Sequence, residues 1–269
     1  HIAGLPRSTF YWQVKSGTST VTYEHEAQRV KALFHHHKGR YGYRRITLAL
    51  RNEGCLINHK TVRKVMREQN LASNLRRKKY RSYKGTYGHI APNLLQRDFH
   101  ADAPNQKWVT DVTEFSLFGQ KLYLSPILDL CSRDIVVYSI SDRPVLSMVT
   151  EMLNKAFVTI PDGTNLILHS DQGWQYQHTQ YQRMLKAKGI RQSMSRKGNC
   201  WDNAVMERFF LSLKMERVWQ RDYANHAEAK ADIADYIVGF YNTIRLHSTL
   251  GYQSPNSYEM HQAFAAHSA

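Results

Sequence analysis

The first 98 residues are short of acid. They hold 5 Asp and Glu against 20 Lys and Arg, whereas residues 99–269 hold 17 of each, so the whole net charge of +15 sits in the first third. An even spread would indicate only solubility; a strongly basic segment beside a neutral one is the electrostatic footprint of a nucleic-acid-binding module. Cysteine is also scarce. Cys55, Cys131 and Cys200 are odd in number and far apart, with no C-x-x-C pair, which excludes a disulfide framework and a zinc knuckle and leaves reduced thiols. No stretch approaches the ~20 apolar residues of a membrane span, and no signal peptide opens the chain. A soluble cytoplasmic protein without a membrane partner is therefore expected. Residue 1 is His rather than Met, so a trimmed start and a further upstream segment are expected as well. With 42% apolar residues in 269, two globular domains are anticipated.

Residues 1–22 lack organised periodicity and read as an N-terminal extension. A basic helical domain follows at 23–80, with helical patterns over Glu24–His36, Tyr43–Glu53 and His59–Gln69. Gly39 and Gly42 mark the first turn and Gly54 ends the second helix, whose inward side is assigned to Ile46, Leu48 and Leu50. Asn58 is placed to cap the third helix, where Val62, Val65 and Met66 face inward. The opposite face carries Lys60, Arg63, Lys64 and Arg67, and Arg44 and Arg45 lie on the helix before it. That is the layout of a helix-turn-helix whose last helix enters the major groove of DNA; the plainer alternative is a small bundle with an incidentally basic face. Arg76, Arg77, Lys78, Lys79 and Arg81 then follow with Tyr80 and Tyr83 interleaved, a composition that tracks phosphates while rings stack or wedge. His35, His36 and His37 splay around a helix and do not make one metal site. Residues 81–104, with Gly85, Gly88, Pro92 and Pro104, read as a linker.

Beyond the linker, Trp108–Leu117, Lys121–Leu130 and Ile135–Ser141 are β-rich runs with short links, implying an antiparallel meander. A helix over Leu146–Val158, a strand over Asn165–His169, a helix over Gln177–Lys188 and a strand over Ile190–Met194 come next. The order predicts an α/β protein, a mixed five-stranded sheet covered by helices, at 105–220. Asp202 is positioned to cap a helix running to about Glu216. Residues 221–269 form a C-terminal helix and tail. Ile233, Ile237, Phe240 and Tyr241 turn inward there.

Three acids stand out. Asp111 lies in the first β-rich run, Asp171 follows the apolar run Asn165–Leu168, and Glu207 comes after 35 intervening residues on the helical stretch. Two acids would be fixed on strands and a third delivered from a helix. Such a set suits a hard divalent cation, Mg²⁺ or Mn²⁺, which takes oxygen ligands and keeps sites for phosphate oxygens. Two ions about 3.5–4 Å apart can serve an in-line phosphoryl displacement. Asn203, Glu207 and Lys214, spaced four and seven apart, share one helix face, so a ligand and a phosphate-binding cation are presented together. Arg196 and Lys197 lie on a Gly-containing loop beside the site and are assigned to DNA, and His169 and Asn203 to support of the acids. Glu114, Asp129 and Asp134 are competing acids read as structural; Glu114 is an odd spacing from Asp111 and faces the other way.

The words Leu168-His169-Ser170-Asp171-Gln172-Gly173, Asp202-Asn203-Ala204 and Met206-Glu207-Arg208-Phe209-Phe210, with Lys214 seven residues on, resemble the bacterial transposases of the insertion-sequence-three family, second reading frame, a DDE type. The tail from Tyr241 to Pro255 is similar to that family's C-terminal signature, a likeness that implies contact of Asn242, Arg245 and His247 with either the core or DNA. The resemblance implies an RNase H-like, retroviral-integrase-like catalytic core with Asp111, Asp171 and Glu207 as its acids. It implies a transposase that binds terminal inverted repeats and target double-stranded DNA, nicks and joins strands with Mg²⁺ or Mn²⁺, and works as a dimer or larger assembly on DNA at the bacterial nucleoid. A DNA-binding regulator without catalysis, or a nonspecific RNase H-like nuclease, are the competing expectations.

Overall fold

The computed structural model describes residues 24–73, 88–117 and 119–267. The extension at 1–22 and the cations Arg76, Arg77, Lys78, Lys79 and Arg81 lie outside the described residues. The chain divides into two compact units, His1–Leu75 and Arg76–Ala269.

In the first unit the three expected helices form: α1 (Glu24–His36), α2 (Tyr43–Asn52) and α3 (His59–Glu68). Val30 and Phe34 of α1, Ile46, Thr47 and Leu50 of α2, and Val62, Val65 and Met66 of α3 make the core. Leu48, assigned to the inward side, is only half-buried. At 100° per residue it lies about 200° from Ile46, and Thr47 takes the buried position between Ile46 and Leu50. Gly54 at φ +80° turns the chain out of α2, a conformation that suits a residue without Cβ. The Asn58 side chain accepts the Lys60 N–H at 2.9 Å, satisfying a donor that α3 leaves open.

In the second unit a mixed sheet carries strands β1 (Lys107–Thr110), β2 (Thr113–Leu117), β3 (Gln120–Asp129), β4 (Ile135–Ser141), β5 (Ile167–Ser170) and β6 (Arg191–Met194). The expected single run Trp108–Leu117 is broken at Asp111-Val112. Both halves pair antiparallel with the same long strand, β1 with the end of β3 and β2 with its start. Counted as one broken lane, they give five lanes, with β4 antiparallel on the far side of β3, and β5 and β6 added in parallel. Helix α4 (Leu146–Phe157) makes the crossover before β5, and α5 (Trp174–Gln177) and α6 (Thr179–Lys188) the crossover before β6. Met148, Val149, Met152, Leu153 and Ala156 of α4 bury against Trp108, Ile127 and Leu168 of the sheet and Tyr181 and Leu185 of α6. This apolar layer drives the packing of helix on sheet.

Residues 88–104, expected as a linker, have neither helix nor strand, yet they dock along β6. The Leu94 N–H bonds Ser193 Oγ at 2.9 Å, Pro92 O accepts the Met194 N–H, and Leu95 is buried. After β6 a 3₁₀ turn, Cys200–Asn203, leads into α7 (Ala204–Glu216). Asp202 does not cap α7 as anticipated, because its carboxylate turns back to Arg196, Arg97 and Asn93.

The C-terminal helix begins as α8 (His226–Asp235) and continues with π-type bonding through Tyr236–Asn242, burying Ile233, Ile237, Phe240 and Tyr241 as expected. A last helix, α9, covers Pro255–His267. The tail motif resolves toward the core. Asn242 pairs through its amide with both N–H and C=O of Ile135, at 3.1 Å each, extending the start of β4. Arg245 donates to both oxygens of Glu216, at 2.9 and 2.8 Å, and to Ser212 Oγ at 3.0 Å, all buried. Breaking such a pair from one side leaves an uncompensated buried charge. Glu216→Leu should therefore cost about 3–5 kcal/mol in denaturant unfolding, with Glu216→Leu/Arg245→Leu recovering much of it.

Candidate active site

Register brings the first two acids together. β1 and β5 run parallel with Lys107 opposite Ile167, Trp108 opposite Leu168 and Val109 opposite His169. Continued past the strand ends, the same register sets Asp111 level with Asp171, on lanes about 4.8 Å apart. Each acid is the first residue beyond its strand, where the chain leaves the pleat. The floor below is rigid: Trp108 Nε1 donates to Asp129 Oδ2 at 3.0 Å, and Asp129 also accepts from the N–H groups of Asn105, Cys131 and Ser132. Asp129 is thus structural, as expected, and Glu114 points away, exposed and paired with Lys121.

The third acid arrives on α7. Asn203 Nδ2 donates to the carbonyl of Thr110 at 3.2 Å, pinning the start of α7 to the end of β1. Lys214 Nζ donates to Thr113 Oγ1 at 2.6 Å and stands 5.4 Å from the centre of the Phe115 ring, pinning the far part of the helix to β2. Met206, Phe209, Phe210 and Leu213 bury the opposite side. Glu207 is left half-buried, near enough for the charge on Asp171 to act on it.

The electrostatics are those of acids held together against repulsion. Burial, then the charges of Asp171 and Glu207, push the Asp111 carboxyl well above the usual range; the Val112 N–H and Lys214 oppose this. Burial raises Asp171 against its bond from the Gly173 N–H, and burial with the Asp171 charge raises Glu207. Lys214 is lowered by burial and held up by Asp111 and Glu114. Among the described residues no group of three His, Cys, Asp or Glu side chains is drawn in tightly enough to hold an ion as it stands. Asp111 Oδ1 is taken up by the Val112 N–H at 2.7 Å and Asp171 Oδ1 by the Gly173 N–H at 2.8 Å. The donor chemistry nevertheless fits a hard divalent cation: three carboxylates, all oxygen, whose mutual repulsion a cation would relieve.

His169 is fully buried and bridges Ser193 Oγ at 2.7 Å and Ser195 Oγ at 3.0 Å, tying β5 to β6 two residues before Asp171; burial pushes its pKa down to about 4, so it is neutral. Arg196 and Lys197 are exposed, but Arg196 is clamped onto Asp202. Two further residues carry weight, one at the end of the motif word that runs past β5 and one outside the motif words. Gly173 leaves room for the second acid, since a Cβ there would lie 2.9 Å from Asp171 Oδ1; the spacing Asp171-Gln172-Gly173 of an Asx turn is the signal that marks it. Tyr176 is a fully buried phenol close enough to Asp111 and Asp171 for both charges to raise its pKa, and nothing in the sequence sets it apart from a core tyrosine.

In the first unit Lys60, Arg63, Lys64 and Arg67 are all exposed on α3, as its spacing predicts. Arg63 and Arg44 lie 5.7 and 5.8 Å from the Tyr43 ring centre, and Arg45 5.5 Å from that of Tyr41. These cation–π contacts hold the guanidinium groups over α2 and its approach.

A mixed RNase H-like sheet with two acids at its parallel strand ends and a third on the following helix defines an integrase-type catalytic core. Residues 101–200 and 188–255 each match the description "Integrase core domain", and residues 23–79 match "HTH-like domain". InsK of Escherichia coli (strain K12), described as a transposase for insertion sequence element IS150, is 48% identical over 256 residues, covering 95% of this chain and 90% of that protein. The transposase for insertion sequence element IS904 of Lactococcus lactis subsp. lactis (strain IL1403) is 40% identical over 238 residues, covering 88% and 94%. The chain belongs to the IS3 family of insertion-sequence transposases. Among solved structures, the HTLV-2 integrase catalytic core in complex with magnesium aligns at a TM-score of 0.45 and 15% identity, over 60% of this chain and 99% of that one.

The space at Gly173 is testable. Gly173 has φ −59°, so alanine fits the backbone; its Cβ would crowd Asp171 Oδ1 most, at 2.9 Å, with Gln175 Oε1 and a Tyr176 ring carbon at 3.3 Å giving slightly. Gly173→Ala should lower metal-dependent DNA processing on the order of 10²-fold while leaving the thermal midpoint near that of the parent.

Proposed function

We propose that this chain binds the terminal inverted repeats of its own element through the first unit and cleaves and joins DNA strands at Asp111, Asp171 and Glu207. The observation that carries the reading is the parallel register of β1 and β5, which sets two acids level beside a helix riveted to the same break in the sheet. Asp111, Asp171 and Glu207 would hold Mg²⁺ or Mn²⁺, two ions once DNA is bound. Such ions supply activation of the attacking oxygen and stabilisation of the leaving one.

The chain's own residues do the rest. Asp111 and Asp171 sit on fixed strand ends, so their backbone is set before substrate arrives, and the local bonds from Val112 and Gly173 break by side-chain rotation alone. Asn203 and His169 hold the backbone on either side in place. Lys214 can exchange Thr113 Oγ1 for a phosphate oxygen without leaving the Phe115 ring, which puts one positive charge beside the acids. No protein nucleophile is required, because water or a DNA 3′-OH attacks the phosphodiester directly. On the first unit, Lys60, Arg63, Lys64 and Arg67 form the groove-entering face, with Arg44 and Arg45 beside it. Arg76, Arg77, Lys78, Lys79 and Arg81, and Arg196 and Lys197 of the second unit, add backbone contacts. Joining two ends requires a dimer or larger assembly on DNA.

The test is Mn²⁺- or Mg²⁺-dependent processing of a labelled duplex carrying the element's end. Joined product from the parent and none from Glu207→Gln, with unchanged DNA affinity, is the expected result. Binding by both without product from either would point to a regulator, and cleavage without joining or end preference to a nuclease. Separately, Lys60→Ala and Lys64→Ala should weaken binding about evenly across sequences, each reducing the slope of log affinity against log salt by about 1, as read by fluorescence anisotropy.

A further inference from the structure

Aromatic side chains bury about 150–250 Å² when packed, so an indole that stays 68% exposed beside a catalytic centre is contact surface the fold does not use. Trp201 is that indole. Its mount is rigid. It lies in the 3₁₀ turn Cys200–Asn203, and the two residues after it are both fixed. Asp202 is fully buried and accepts from Arg196, Arg97 Nε and Asn93 Nδ2, all at 2.9–3.1 Å. Asn203 donates to the carbonyl of Thr110, the residue before Asp111. Two residues of chain span at most about 7 Å, so the backbone at Trp201 is held within one nucleotide's reach of that anchor. Among the described residues the ring itself makes no hydrogen bond, ring stack or cation–π contact.

The chemistry of the partner follows from what an indole face can grip. A base inside a duplex is covered on both faces, whereas an unpaired base offers its full π-surface to an aromatic side chain. The surroundings are basic: Lys197 is exposed on the same loop, and Arg208 is exposed next to Glu207. Such charges complement the phosphates on either side of an extruded base.

We propose that Trp201 is a stacking platform for an unpaired nucleobase adjoining the DNA bond engaged at Asp111, Asp171 and Glu207. The proposal rests on the strand-transfer reading given above. It makes the site selective for a melted or frayed end over continuous duplex while remaining tolerant of sequence, since every base has a π-face.

The test uses the full chain and three DNA probes of equal length: a blunt duplex, a duplex ending in unpaired thymidines, and the same fork with abasic residues in the tail. Trp201→Ala should weaken binding to the thymidine fork about 5- to 100-fold, as loss of base–aromatic stacking implies, and leave the other two probes unaffected. Trp201→Phe should retain most of the fork affinity. Equal losses on all three probes, no loss on the thymidine fork, or a Phe variant as weak as Ala would each overturn the platform. Glu207→Gln, measured alongside, should lose joining yet keep the preference for the thymidine fork. If the parent joins no DNA while Trp201→Ala still loses the thymidine fork alone, the platform stands and the strand-transfer reading fails.

Discussion

Parallel pairing of β1 with β5 is the constraint on which the rest of the second unit depends. Two adjacent strands that run the same way end on the same side of the sheet, so residues just past their ends meet; an antiparallel neighbour would carry its terminal acid to the opposite edge. Parallel neighbours need a crossover, and α4 supplies it, with its apolar face buried on the sheet it crosses. The helix is thus both the connection that permits the register and much of the core that fixes it. The register has an electrostatic cost, since burial raises all three carboxyl groups and like charge raises Asp111 and Glu207 further. That cost is met by packing elsewhere, in the Trp108–Asp129 floor and the Ser193–His169–Ser195 bridge.

The third acid depends on how α7 is attached. Asn203 fixes one end to β1 and Lys214 fixes a later turn to β2, so the helix spans the break between them. The other side of α7 ends on Ser212 and Glu216, which Arg245 grips from the tail. A residue far along the chain therefore sets the pose of the helix that carries Glu207 without touching the acids. The tail motif and the acid motif are two sides of one helix mount, which accounts for the similarity to the family extending through both.

Much of this was legible in the residues. Helix spacing placed the core of α3, Asn58 announced its cap, and the apolar run before Asp171 announced β5. The family words around Asp171 and Glu207 pointed to a set of three acids with Asp111 that periodicity alone could not assemble, because the pairing of β1 with β5 is nonlocal. The misreadings have local causes. Leu48 was assigned inward as an apolar residue, although 3.6-residue spacing favours Thr47. The break at Asp111-Val112 lies within a β-branched stretch that propensity reads as continuous strand. Asp202 has the right residue type and position for an N-cap, but Arg196 on the preceding loop and two partners distant in sequence, Asn93 and Arg97, outbid a single backbone N–H.

The break in the strand also explains how a site built on a rigid sheet keeps adjustable ligands. In an unbroken strand the backbone N–H and C=O around Asp111 would be committed to the ladder and its side chain fixed by the pleat. Leaving the ladder frees the Val112 N–H to bond the Asp111 carboxylate, and the turn after β5 does the same for Asp171 through Gly173. Each acid is thereby parked on a neighbouring amide by one short hydrogen bond while its Cα stays fixed. A divalent cation bound there would be held by carboxylates that can turn to it by side-chain rotation. Backbone preorganisation and side-chain freedom are compatible here because each strand stops one residue before its acid.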